Sequence, residues 1–282
     1  MNLLGRLFTV LAILSSTACS TVIVDRTAGA AATGRAYTET LKKVNDLALR
    51  HSTNFGADFL SSNLIRTPEL LGEVTNVQKD RQRTVAESSA YLDKLAEYFS
   101  GLEALSKGDS SEATSAALGN VADALKKEPF KISISDGRKA ALTGLAGFIA
   151  KQAHAAAVET ALRRDADKVA QAIAVSDEML DAVSRWIAKQ ETLEAEKAFQ
   201  TKVQAPFTSG AALGSEWQSA WKDYVRGPAV NVVLGDAKEA SGKLQRAWQN
   251  LLTGNYSFDE VLASLKNVQA GIDSVEALVN SK

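Results

Sequence analysis

The 282-residue chain carries a single cysteine, Cys19, so no internal disulfide holds its fold. It has only two histidines, His51 and His154, about a hundred residues apart. One cysteine and two distant histidines leave no His/Cys metal cluster. Neither histidine sits in a nucleophile motif such as GxSxG. A phosphate-binding loop and a dinucleotide fingerprint are also missing. No catalytic residue, metal or cofactor is therefore expected, and the chain reads as a non-enzyme. Net charge is −1, which supplies no strong field for nucleic acid and no basic block for an anionic bilayer. Aromatics make up 6% of the chain, and there are only four prolines. So few prolines in so long a chain argue for long, uninterrupted helices.

Long apolar runs are scarce too. The one at the N-terminus, Leu7 to Leu14, has eight residues, far short of the roughly 20 that a membrane-spanning helix needs. It follows a short positive segment containing Arg6 and precedes Ser15-Ser16-Thr17-Ala18-Cys19-Ser20. This layout matches a secretory signal. Small residues just before a cysteine resemble the lipobox of bacterial lipoproteins. Ser16 departs from that pattern, in which leucine is commonest three before the cysteine. The resemblance covers about the first 20 residues. It implies that residues 1–18 are a signal peptide and that Cys19 takes a diacylglycerol and becomes the first mature residue, with fatty acyl chains such as palmitate as the anchor. Two or three acyl chains hold a protein stably to a bilayer. By resemblance to the sorting rule of enteric bacteria, Ser20 implies an outer-membrane address facing the periplasm. The alternatives are an ordinary signal peptide cut near Ala18 and, below it, a retained membrane helix.

Residues 19–36 follow as lipidated N-terminus and flexible tether, because their Ala, Gly and Thr show no strong period, with a modest helix as the alternative. A long-helix bundle is expected over 37–205. Tyr37, Leu41, Val44, Ala48, His51, Phe55 and Phe59 make one apolar stripe up to about Leu64. Thr67-Pro68-Glu69 predicts the next helix start, with a capping hydroxyl, a proline at the first helical position and an acid in the first turn. That helix runs to Leu105 and forms an antiparallel hairpin with the first. A short helix to Lys127 and a minor β excursion near 130–135 come next. From 137 to 204 the period stays helical, with a kink or turn expected near 163–168 or Ser176 and an end at Pro206. Residues 206–282 predict three further helices packing on the same bundle, over about 215–226, 229–252 and 257–279, separated by Gly227-Pro228 and Gly254.

The expected fold class is all-α, an elongated helical bundle with long antiparallel helices and a coiled-coil-like stripe. Two features bear on function. Trp217, Trp221 and Tyr224 recur at four and three, giving one aromatic face that serves either core packing or a partner-binding patch. Ala140 to Ala150 is uncharged, and its small-residue bias runs on to 158. It reads either as a close-packing helix or as a membrane-inserting segment. Carboxylates are plentiful, but no pair stands out; Asp165 and Asp167 fall on different faces of a helix. The reading that follows is a lipid-anchored cell-envelope protein acting as an interaction or scaffold module. Its partners would be the membrane, through Cys19, and another envelope protein or polymer, without nucleic acid. A membrane-active helical protein using 140–158 is the alternative, and a carboxylate-based envelope hydrolase ranks below it.

Overall fold

A computed structural model describes residues 3–108, 154–210, 212–227, 229–251 and 258–280. All regular structure among them is helical. In chain order the helices are α1 (Leu3–Ser62), α2 (Pro68–Ser106), α3 (His154–Ala198), a π-helical turn (Phe199–Gln204), α4 (Ala205–Thr208), α5 (Ser215–Arg226), α6 (Ala229–Gln249) and α7 (Phe258–Asn280). The fold is an all-α bundle of long helices. The expected β excursion at 130–135, the short helix to Lys127 and most of 140–158 lie outside the described residues. Within that last segment, α3 begins at His154 and Val158 is buried.

The start of α2 follows the predicted chemistry. Thr67 is extended, and its Oγ1 accepts the Leu70 N–H at 3.2 Å. Pro68, which has no N–H to satisfy, takes the first helical position. The connection from α1 is closed locally. Asn63 Oδ1 accepts the Ile65 N–H at 2.9 Å, and Arg66 donates to the Ser61 carbonyl at 3.0 Å.

Cross-helix contacts define the directions. Asn45 meets Ser88 and Lys42 meets Asp93, so α1 and α2 are antiparallel. Ser52 meets Gln190 and Ser62 meets Lys197, so α3 runs parallel to α1. Tyr37 meets Ser241, and Lys238 pairs with Asp181, so α6 runs back down; Lys43 meets Gln269 on the ascending α7. The core fills the middle of these helices. Its aromatic centre is Tyr98, Phe99 and Trp248, whose rings meet edge to face with centroids 5.5–6.4 Å apart.

Three expectations are corrected. The stretch 19–36, read as spacer with at most a modest helix, is helical throughout as part of α1, and Thr27, Ala30, Ala31 and Thr33 are buried. The buried hydroxyls bond back one turn, Thr27 to the Ile23 carbonyl at 2.7 Å and Thr33 to the Gly29 carbonyl at 2.9 Å. Threonine thereby enters the interior without a stranded polar group. Gly34 lies against Phe99 so closely that a Cβ there would stand 2.5 Å from three ring carbons. No turn interrupts the chain near 163–168 or Ser176, where a kink or turn was expected, and α3 is one helix from His154 to Ala198. Pro206 does not end it either. A proline offers no N–H to the carbonyl four residues back and crowds it. Here the helix widens into the π-turn at 199–204 and continues through Pro206 to Thr208.

The helices differ in reach. Followed at equal rise from the Lys238–Asp181 and Lys43–Gln269 contacts, α6 begins level with about Gln190 of α3. On the same basis α7 ends level with about Asn54 of α1. Beyond those levels α1, α2 and α3 continue without them.

Candidate functional site

That difference in reach places the exposed apolar side chains. The stripe Phe55, Phe59 continues the core period of α1, but nothing from α6 or α7 reaches it, and Phe59 is 41% exposed. At the α1–α2 turn Leu64 and Ile65 are 98% and 70% exposed. Leu71 and Val77 at the start of α2 and Leu193 on α3 are exposed as well. Phe55 and Phe59 stack with centroids 6.4 Å apart. With Leu64, Ile65 and Leu193 they line a groove of 540 Å³, bordered by Asp58, Glu194 and Lys197.

The predicted aromatic patch joins the same end. Lys197 Nζ donates to Ser62 Oγ at 2.8 Å, so the π-turn that begins at Phe199 lies just past the α1–α2 turn. Helix α5 packs on that π-turn and the end of α3, and none of its residues is buried. Its aromatic face divides in two. Trp217 Nε1–H donates to the Val203 carbonyl at 2.9 Å, and the ring stacks on Phe207 at 6.0 Å. Tyr224 lies against Phe199, centroids 4.4 Å apart. Trp217 and Tyr224 therefore pin α5 to the π-turn, although Tyr224 is still 43% exposed, and Trp221 and Val225, 45% and 63% exposed, extend the open surface. Core packing, one of the two readings of this face, does not describe it. Gly227, with φ of 75°, ends α5 in a backbone conformation that glycine tolerates at little cost.

Behind the groove sits a partly buried polar cluster joining three helices, with Ser52 and Gln190 at its buried centre. Ser52 Oγ donates to Gln78 Oε1 at 3.0 Å and accepts from Arg81 Nη1 at 2.8 Å and Gln190 Nε2 at 3.3 Å. One hydroxyl thus uses its donor and both lone pairs. Gln78 Nε2 also donates to the Ser52 carbonyl at 3.0 Å, and it passes over Gly56, where a Cβ would stand 2.7 Å away. Arg81 lies over the Trp186 ring, 5.1 Å from its centroid, and burial lowers its pKa from the ordinary arginine value.

Next to Ser52, His51 Nε2 stands 2.9 Å from Glu191 Oε1. His51 is half-buried, as its place on the apolar stripe predicted. One ligand atom each from His51, Glu191 and Glu194 lie within 4.8 Å of one another. Counting only histidine and cysteine missed this group. Its sole trace in sequence is the i, i+3 spacing of the two glutamates. Asp165 is buried and Asp167 exposed, on separate faces as read from their spacing. Cys19 lies in the backbone of α1, and its side chain is outside the described residues. No helix among the described residues is long and apolar enough to cross a membrane.

Comparison of the chain with protein families, curated proteins and solved structures finds no match.

Proposed function

We propose that the chain is a bacterial envelope lipoprotein, held by lipid on Cys19, whose far end docks onto another envelope protein. The observation that carries the docking half is the gathering of exposed Phe59, Leu64, Ile65, Trp221 and Val225 at the end of the bundle away from the N-terminal part of α1. Exposed apolar surface grouped in this way marks interaction sites. Tryptophan, tyrosine and phenylalanine are the side chains enriched at the centre of protein interfaces. The surrounding charges are of both signs, with Asp58 and Glu194 beside Lys197, and Asp223 beside Lys202. A mixed rim fits a protein partner better than a polyanionic polymer or an anionic lipid surface.

The anchor half rests on the lipobox resemblance at Cys19. Among the described side chains, which start at Ile23, the first buried one is Thr27, two helical turns after Cys19. In this reading the bundle sits close to the bilayer on a rigid helix rather than on a flexible stalk. From Cys19 to Ser62 the helix spans about 65 Å at 1.5 Å per residue. Docking would therefore take place well away from the lipid.

Site-specific photocrosslinking in cells tests the docking half. A crosslinker at Ile65 or Trp221 is expected to trap one discrete protein adduct, and a crosslinker at Asp93, on the mid-bundle surface, none. Identical adduct patterns at all three positions, or no adduct at Ile65 and Trp221, would defeat the proposal. Cys19→Ser tests the anchor separately. A processed, mature-length Cys19→Ser protein that still fractionates with membranes would exclude lipid on Cys19 as the tether.

A further inference from the structure

We propose that His51, Glu191 and Glu194 bind one divalent transition-metal ion of the zinc class. The three come from two parallel helices, His51 on α1 and the two glutamates one turn apart on a single face of α3. The Gln190–Ser52 hydrogen bond, 3.3 Å and buried, sets the register of α3 against α1 one residue away from both His51 and Glu191. The arrangement is thus held by the fold and does not depend on one flexible side chain finding another.

The distances suit an ion. Metal bonds of about 2.0–2.2 Å in tetrahedral array separate the ligand atoms by about 3.4 Å. His51 Nε2 and Glu191 Oε1 stand 2.9 Å apart, and the widest separation in the group is within 4.8 Å. Glu194 is exposed, and in the proposed site its carboxylate turns inward to close the remaining gap. His51 and Glu191 side chains are 20% and 13% exposed, which strengthens the pull of two carboxylates on a cation. An imidazole ligand disfavours the hard ions calcium and magnesium, which take oxygen. Imidazole with carboxylates suits zinc, with manganese and iron weaker. Three protein ligands leave a fourth position for water. Glu194 is the third ligand of a metal site and is no part of the 2.9 Å His51–Glu191 contact, so substituting it discriminates between the two arrangements.

The test is titration of the purified full-length protein with zinc chloride alone, reading bound ion by equilibrium dialysis and the thermal midpoint in parallel. The expected result is one ion per chain, saturating at or below about 100 µM, with a midpoint that rises as zinc is added. Glu194→Gln is expected to weaken binding by about tenfold or more, and to reduce the zinc-induced rise measured from its own metal-free midpoint. His51→Ala should abolish binding, and His154→Ala should leave it intact. Three results would each overturn the site: no saturable binding below about 1 mM, binding undiminished by Glu194→Gln, or binding lost in His154→Ala. Equal competition by magnesium would overturn the assignment to a transition metal.

Discussion

Replacing Gly34 by alanine tests the least expected part of the fold, the packing of the Ala/Gly/Thr segment before Tyr37. In α1 an alanine gains about 1 kcal/mol over glycine from helix propensity alone. At Gly34 the new methyl would stand 2.5 Å from Cδ1, Cε1 and Cζ of Phe99, where carbon atoms prefer about 3.5–4.0 Å. The ring has to retreat by about 1 Å. It is fully buried, with Tyr98 at 5.7 Å and Trp248 at 5.5 Å between centroids, so little space receives it. Overpacking of this kind costs about 1–3 kcal/mol. Gly29, one and a half turns earlier on the same helix, is exposed and has nothing within 4 Å of a built Cβ.

The two variants share the propensity gain, so their difference isolates the clash at about 2 kcal/mol. In urea, at a slope of about 3 kcal/mol per molar, the midpoints should lie about 0.7 M apart. Gly29→Ala is expected to fall above wild type and Gly34→Ala below it. A second change, Phe99→Leu, should recover part of the loss in Gly34→Ala, because the two positions share one contact. A flexible segment would leave both single variants at the wild-type midpoint, and a helix standing free of the bundle would raise both equally. Either outcome refutes the packing of α1 against Phe99.

Two further outcomes follow from buried polar groups. Burial pushes the phenol pKa values of Tyr37 and Tyr91 well above their ordinary value of 10, a rise that the hydrogen bond between Tyr37 and Ser241 only partly opposes. The folded state therefore holds protons that the unfolded chain releases, so stability is complete below pH 10 and falls above it, by about 1.4 kcal/mol per pH unit for each group. Urea midpoints at pH 9, 10 and 11 should drop more steeply for wild type than for Tyr37→Phe/Tyr91→Phe; parallel slopes would contradict the burial. Ser52→Ala strips Gln78, Arg81 and Gln190 of one shared partner, and the polar groups left behind should lower stability by about 1–3 kcal/mol in denaturant titration, against about zero for the exposed Ser61→Ala.

Local chemistry was legible. Thr67-Pro68-Glu69 marked the start of α2 because a cap and a proline act within one turn. The segment Ser215–Arg226 was bracketed by glycine and proline, and α5 has those ends. What escaped was whatever depends on a partner far along the chain. Residues 23–36 look like spacer on an apolar scale, because small side chains carry little hydrophobic signal. Alanine and glycine earn their burial by letting Phe99 and its neighbours come close, and threonine by bonding to its own helix. The histidine–glutamate group needed residues separated by about 140 positions. Pro206 read as a stop because proline opposes α geometry, and the π-turn is the less common way around that rule.

The aromatic and apolar residues at the far end show most clearly where periodicity stops being informative. Phe55 and Phe59 repeat with the same spacing as Tyr37, Leu41 and Val44, yet the latter are buried and Phe59 is not. Hydrophobic period says that a face wants cover; only the lengths of the other helices say whether cover arrives. Here α6 and α7 stop short, and α5, which follows the π-turn, brings Trp221 and Val225 to the uncovered end without burying them. The polar cluster on Ser52 lies at the level where the cover runs out. Hydrogen bonds to one hydroxyl are directional and tie α1, α2 and α3 together, which apolar packing among fewer helices would do less strictly. The protruding end is thereby a braced extension of the core and keeps its shape while leaving its apolar side chains open to a partner.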